Sequence, residues 1–145
     1  MSPKDQAPEV APSTVTDIAD GHSAFGRLAE RLSSHAAADE HGVPEGEIAH
    51  LLQETISTVT QHFLNEESLM KTFGYREREP ARFHAHIESH ADFSGDVCKL
   101  VCSADILRPD MLEKLAGMLV DFAVCHQRDH DDPFLDHVLD GQRAS

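Results

Sequence analysis

Apolar residues return at steps of three and four along four stretches of the chain, and polar residues fill the positions between them. From about 17 to 38 the stripe runs Ile18, His22, Phe25, Ala29, Leu32 and Ala36. From about 45 to 73 it runs Ile48, Leu52, Thr55, Val59, His62, Glu66, Leu69 and Phe73. A third stripe, over about 81–103, holds Phe83, His86 beside Ile87, His90, Phe93, Val97 and Val101. The fourth, over about 110–130, holds Leu112, Leu115, Leu119, Phe122 and His126. This is the period of helices with a narrow buried seam, not the alternation of strands.

The punctuation agrees with four helices. Pro44, Pro80 and Pro109 stand at predicted first turns, where a missing N–H is harmless. Gly74 follows Phe73 as a C-terminal cap. Pro133 is expected to end the fourth helix, leaving a short apolar turn from Phe134 to Leu139. Short connections make neighbours antiparallel, so the predicted fold is all-α, an up-down-up-down four-helix bundle over residues 17–139. A flexible arm, residues 1–16, with Pro3, Pro8 and Pro12, precedes it, and a tail, residues 140–145, follows.

Length and charge narrow the classes. At 145 residues the chain makes one domain with a real core. Its 12 basic and 26 acidic side chains give a net charge of −14, which repels phosphate backbones and anionic lipid and argues against nucleic acid or a membrane as partner. No apolar run approaches the ~20 residues of a membrane span, and the start MSPKDQAPEV lacks the features of a secretory signal. A soluble cytoplasmic protein is expected. Cys98, Cys102 and Cys125 form no disulfide framework. Cys98 and Cys102 are expected to be buried, inert thiols, and Cys125 directly precedes His126.

Polar residues on the apolar seams carry the candidate chemistry. His22, His62 with Glu66, His86 with His90, and His126 all lie there, with Asp131 five residues beyond the last. Residues four apart share a helix face, so His62 and Glu66 point inward together, as do His86 and His90. With helices alternating in direction, these positions come to one level. A single seam histidine is more often a hydrogen-bonded core residue than a ligand, and HxxxH alone is weak in a chain with 11 histidines. The combination is different, because a buried carboxylate without a partner is costly and coordination removes that cost.

Five imidazoles and two carboxylates suit a pair of transition-metal ions: iron, zinc, copper or nickel. The other histidines separate out. His35, His41 and His137 are expected at helix ends or in loops facing solvent, and His50 lies about three turns from His62. His84 and His130 point off the seam. A ferritin-like site would need ExxH on two helices, and only Glu47-x-x-His50 fits. HIESH is not the HExxH of a zinc hydrolase. A metal-free interaction bundle would leave these groups buried without partners.

HFLNEESLMKTFGY, HIESHADF and HQRDHDDPF, in that order and with ADGHSAF near the start, resemble the hemerythrin family over about residues 17–139. The set HFxxEExxM, HxxxHxxF and HxxxxDxxF is far more specific than any one part. The resemblance implies a non-haem di-iron centre, two iron ions (Fe2+/Fe3+) bridged by hydroxide or oxide. It implies that His86, His90 and His126 hold one ion and that His22 and His62 hold the other, which keeps an open position. Glu66 and Asp131 would bridge the two. Reversible binding of dioxygen, for storage, transport or sensing, is the implied function, with Phe63, Phe93, Phe122, Ala123 and Gln127 around the oxygen pocket.

Two of these positions depart from the family. Gln127 stands where a bulky aliphatic usually follows the last histidine, and Ala123 where a large aliphatic usually covers the oxygen site. Such a pocket admits water and small anions more easily. That favours the alternative, a di-iron redox enzyme reducing peroxide or nitric oxide or oxidising ferrous iron. The chain also has no tryptophan, whereas many relatives carry one before the first ligand, so the arm is expected to dock differently.

Overall fold

A computed structural model of the chain describes residues 12–38 and 45–143. These residues are helical almost throughout, with no strand among them. The elements are α1 (Pro12–Ala37), α2 (Glu45–Thr72), α3 (Tyr75–Arg78), α4 (Pro80–Val101) and α5 (Pro109–His126), then a π-helical turn (Gln127–Asp131) and α6 (Asp132–Arg143). Among the long helices, α1 packs on α5 and on α2, α2 packs on α4, and α4 packs on α5. Pro44, His41, most of the expected arm and the last two residues of the tail lie outside the described residues.

Local chemistry sets most boundaries. Pro80 and Pro109 open α4 and α5, as their fixed φ and missing N–H favour. Gly74 stops α2 by turning left-handed, with φ 66°, and its N–H reaches the Lys71 carbonyl at 3.2 Å. The chain then makes the single turn of α3, which the sequence pattern did not announce, and buries Tyr75. The first helix begins at Pro12, ahead of the predicted start at 17 and inside the expected arm.

The larger difference lies at Pro133. The sequence predicts that the helix ends there, yet the chain stays helical to Arg143. At the π turn the Asp132 N–H reaches back to the Gln127 carbonyl, five residues earlier. Pro133 then falls in the first turn of α6, where its lack of an N–H is tolerated. The expected short turn Phe134 to Leu139 is therefore helix, and it carries Phe134 and Val138 into the core.

That core has two apolar parts with a polar layer between them. The larger contains Phe25, Leu32, Leu51, Val59, Phe63, Phe93, Val97, Leu112, Leu115 and Leu119. The smaller contains Ile18, Met70, Tyr75, Phe83, Phe134 and Val138. On α1, α2 and α4 the two are separated by one or two seam positions, His22, His62 with Glu66, and His86 with His90, and His126 ends α5 before the smaller part resumes in α6. Two other expectations fail. Cys98 and Cys102 are exposed, because the buried face of α4 runs through Phe93, Val97 and Leu100. His137 does not face open solvent: its ring packs against Tyr75, and its Nε2 lies 3.3 Å from the Phe73 carbonyl.

Candidate metal centre

Seven side chains converge in the polar layer. His62, Glu66, His86, His90, His126 and Asp131 are buried, and His22 is 14% exposed. Their ligand atoms form two sets that share one residue. One set is Glu66, His86, His90 and His126; the other is His22, His62, Glu66 and Asp131; within each, the atoms lie within 4.8 Å of one another.

The carboxylates face both ways. Glu66 Oε1 lies 2.9 Å from His62 Nε2, while Oε2 lies 2.8 Å from His90 Nε2, 3.2 Å from His86 Nε2 and 3.4 Å from His126 Nε2. Asp131 repeats the division. Its Oδ2 is 2.6 Å from His22 Nε2, and its Oδ1 is 3.2 Å from both His86 Nε2 and His126 Nε2. Each carboxylate thus offers one oxygen to the three-histidine half and one to the two-histidine half.

Hydrogen bonding alone does not satisfy this arrangement. Glu66 Oε1, Asp131 Oδ1, His86 Nδ1 and His90 Nδ1 are buried without a hydrogen-bond partner. His90 Nε2 and His126 Nε2 stand 3.0 Å apart while both face the same carboxylate oxygen. Buried polar groups left in this way are costly. Convergent nitrogen lone pairs with two-sided carboxylates are what a pair of cations requires, and imidazole with carboxylate suits first-row transition metals.

Electrostatics follow from the crowding. Burial pushes the Glu66 carboxyl up, but the imidazoles of His126, His62, His86 and His90 together outweigh it and hold the group well below the usual carboxylate range. Asp131, raised by burial and lowered by His126, His22 and His86, comes out at about 2. Burial alone would lower His126; Asp131 and Glu66 reverse this and raise it to about 9. His86 is raised for the same reason, against burial, by Asp131 and Glu66. Burial dominates at His90 and lowers it.

Asp131 reaches the site because of the π turn. In a regular helix five residues turn the chain to a position about 140° away from the first, at 3.6 residues per turn. The i→i+5 repeat from Gln127 to Asp132 absorbs one residue and returns Asp131 to the face of His126. His130, its neighbour, is half-buried, with its ring centroid 5.1 Å from that of His126 and 5.3 Å from that of His86. It belongs to neither set.

Aromatic rings close one side. Phe63 stacks on His90 at 4.0 Å, Phe122 stacks on His126 at 4.5 Å, and Phe93 stacks on Phe122 at 3.9 Å. Ala123 is half-buried against the larger cluster. Gln127, expected in the same pocket, is exposed at the start of the π turn, so it does not make that wall polar. Three contributors escaped the sequence pattern. Ser89 Oγ lies 2.9 Å from His126 Nδ1, and Glu67 Oε1 lies 3.6 Å from His90 Nδ1. A hydrogen-bonding partner such as Ser89 fixes a ligand's tautomer and orientation, whereas Glu67 places a carboxylate near His90 beyond hydrogen-bond reach.

Gly21, the third, underlies His62. Position alone was the available clue to the pair, since Ser89 directly precedes His90 and Glu67 follows Glu66. On the other side of the centre a groove between α1 and α2 runs to His62, lined by Asp20, Ser57, Thr58, Gln61 and Asn65. No protein-family model, curated protein or solved structure matches the chain, so the centre is read from its own residues. No helix among the described residues is long and apolar enough to cross a membrane.

Proposed function

We propose that the chain is a non-haem di-iron protein of hemerythrin type that binds dioxygen reversibly for storage, transport or sensing. The observation that carries the reading is the division of Glu66 and Asp131, each with one oxygen toward His86 and His126 and the other toward His22 or His62. In it, His86, His90 and His126 would hold one iron and His22 and His62 the other, with Glu66 and Asp131 shared between them. Two ferrous ions held there would supply the two electrons that reversible uptake of dioxygen needs. The contacts of α1, α2, α4 and α5 with one another fit an antiparallel up-down-up-down four-helix bundle around the centre, with short connections from α2 through α3 to α4.

The chain's own residues do three further things in this reading. Phe63, Phe93 and Phe122 exclude water from the three-histidine half. Ser89 Oγ accepts a hydrogen bond from His126 Nδ1–H, which leaves Nε2 free to coordinate. Asp131 brings a charge that His22, the most exposed of the five histidines, meets from the opposite side. The test is an optical spectrum taken from anaerobic to aerobic conditions together with metal analysis. Two irons per chain and a visible band that appears with oxygen and disappears under vacuum are expected. A single ion, zinc, or no oxygen-dependent band would overturn the reading.

A second reading, a di-iron redox enzyme acting on peroxide, nitric oxide or ferrous iron, is favoured by the groove. Its hydroxyl and amide groups beside His62 offer water and protons to the two-histidine half, a setting that suits turnover better than a long-lived adduct. Sustained consumption of peroxide with a reductant would support it, and an oxygen adduct stable for hours would count against it.

A further inference from the structure

His62 reaches the centre from α2, and the residue under its ring is Gly21 of α1. A methyl group built on Gly21 would overlap Nδ1 and Cε1 of the His62 imidazole and stand 3.0 Å from its Cγ. To clear such an overlap the imidazole itself has to move, because Nδ1, Cε1 and Cγ all face the added atom. Backbone conformation does not call for glycine here. Gly21 lies within α1, and among the described residues the glycine with positive φ is Gly74.

Glycine weakens a helix interior relative to alanine, so at Gly21 the helix gives up stability for room. Gly26, one and a half turns on, shows the contrast: a Cβ there would meet nothing within 4 Å. Three aromatic rings also wall the His62 seat, and the polar groove opens on its remaining side. The edges of His22 and Phe25 stand at ring-centroid distances of 5.6 and 5.3 Å, and Phe63 at 6.0 Å. In this seat the ring aims Nε2 at Glu66 Oε1, 2.9 Å away.

We infer that Gly21 is a positioning residue for the ion of the two-histidine half: its missing side chain is the seat that lets His62 present Nε2 beside Glu66. This rests on the two-ion reading above. A side chain at position 21 expels the imidazole, and that half loses one of its two nitrogen ligands while His86, His90 and His126 stay in place.

The test compares the wild-type chain with G21A, G26A, H62A and the double variant G21A/H62A. Each is loaded anaerobically with ferrous iron and assayed for bound metal, and the imidazole nitrogen signals of the metal-free proteins are recorded by NMR. Wild type and G26A are expected to hold two ions, and the other three variants one. In metal-free G21A the His62 nitrogen signals should move while those of His90 and His126 stay. Should G21A alone misfold, the double variant, freed of the clash, still reports whether Gly21 acts only through His62: it must match H62A.

Two ions in G21A, or a loss in the double variant beyond that in H62A, would overturn the inference. Fewer than two ions in wild type would instead overturn the two-ion reading, and unmoved His62 signals in metal-free G21A would still sink the role of Gly21.

Discussion

Around His86, His90 and His126, rings lie flat on His90 and His126, Ser89 also meets the outer nitrogen of His126, and exposure is 0–3%. Around His22 and His62, the side chain of one ligand is 14% exposed, a polar groove runs to the other, and a glycine takes the place of a wall. Both halves draw on the same two carboxylates. Packing therefore fixes the first half, whereas shared charge and a vacated volume fix the second. A half of the first kind suits an ion that stays; a half of the second kind suits one that must admit a ligand and release it.

The comparison can be broken most directly at the residue both halves share. Glu66→Ala should cost both ions, with retention lowered by more than the roughly 10–100-fold typical of outer partners. Metal analysis after gel filtration checks this, and one ion retained at full affinity would show that the halves are independent.

Substituting one ligand at a time should then expose the asymmetry. His22→Ala is expected to weaken one ion by more than the roughly 10–100-fold typical of an outer partner and to spare the other. His126→Ala should weaken both, since His126 Nε2 also stands 3.2–3.4 Å from Asp131 Oδ1 and Glu66 Oε2 and holds both bridges in place. Equal losses from the two substitutions, read by competitive chelation, would erase the distinction.

The metal-stripped protein separates the halves by pH. His126 is raised from 6.5 to about 9, so its contribution is complete below 6.5 and is lost as pH rises through 9. That loss is on the order of 3 kcal/mol, at about 1.4 kcal/mol per pH unit between the two values. Asp131, held at about 2 against an ordinary 3.8, contributes above 3.8 and loses that contribution as pH falls through 2. His90, lowered by burial, adds to the acid loss below 6.5. Urea midpoints of chelated protein should decline from pH 6.5 to 9.5, and His126→Asn should flatten that limb.

The smallest effect is expected from Ser89→Ala. It removes the partner of His126 Nδ1 and should weaken the three-histidine ion by roughly 10–100-fold, leaving the other ion unchanged. A variant that weakens the two-histidine ion instead, in the same chelation assay, would reverse the assignment.

Much of this was legible in the sequence because the α-helical period reports which residues share a face. His62 with Glu66 and His86 with His90 stand four apart, so their convergence follows from spacing. Asp131 does not follow in this way. It stands five from His126, and only the motif order pointed to it; the π turn that brings it round leaves no periodic signal. The same turn hid α6, because Pro133 after a polar run reads as a stop. Gly21 was invisible for another reason: the need for glycine lies in a distance between two helices, and no single stripe records it. Gln127 was misjudged because it sits next to a ligand in sequence while its side chain leaves the helix on the outer side.

Deleting one residue from a helix ordinarily rotates everything beyond it by about 100° and scrambles the core. Between His62 and Glu66 it would do so. Between His126 and Asp131 the chain already carries one residue more than a regular helix needs, and the π turn is where the surplus is stored. Removing one residue there would close the bulge into an ordinary i→i+4 ladder and leave Asp131, Phe134 and Val138 facing as they do now. The segment that looks most irregular is thus the one stretch of the centre with a residue to spare.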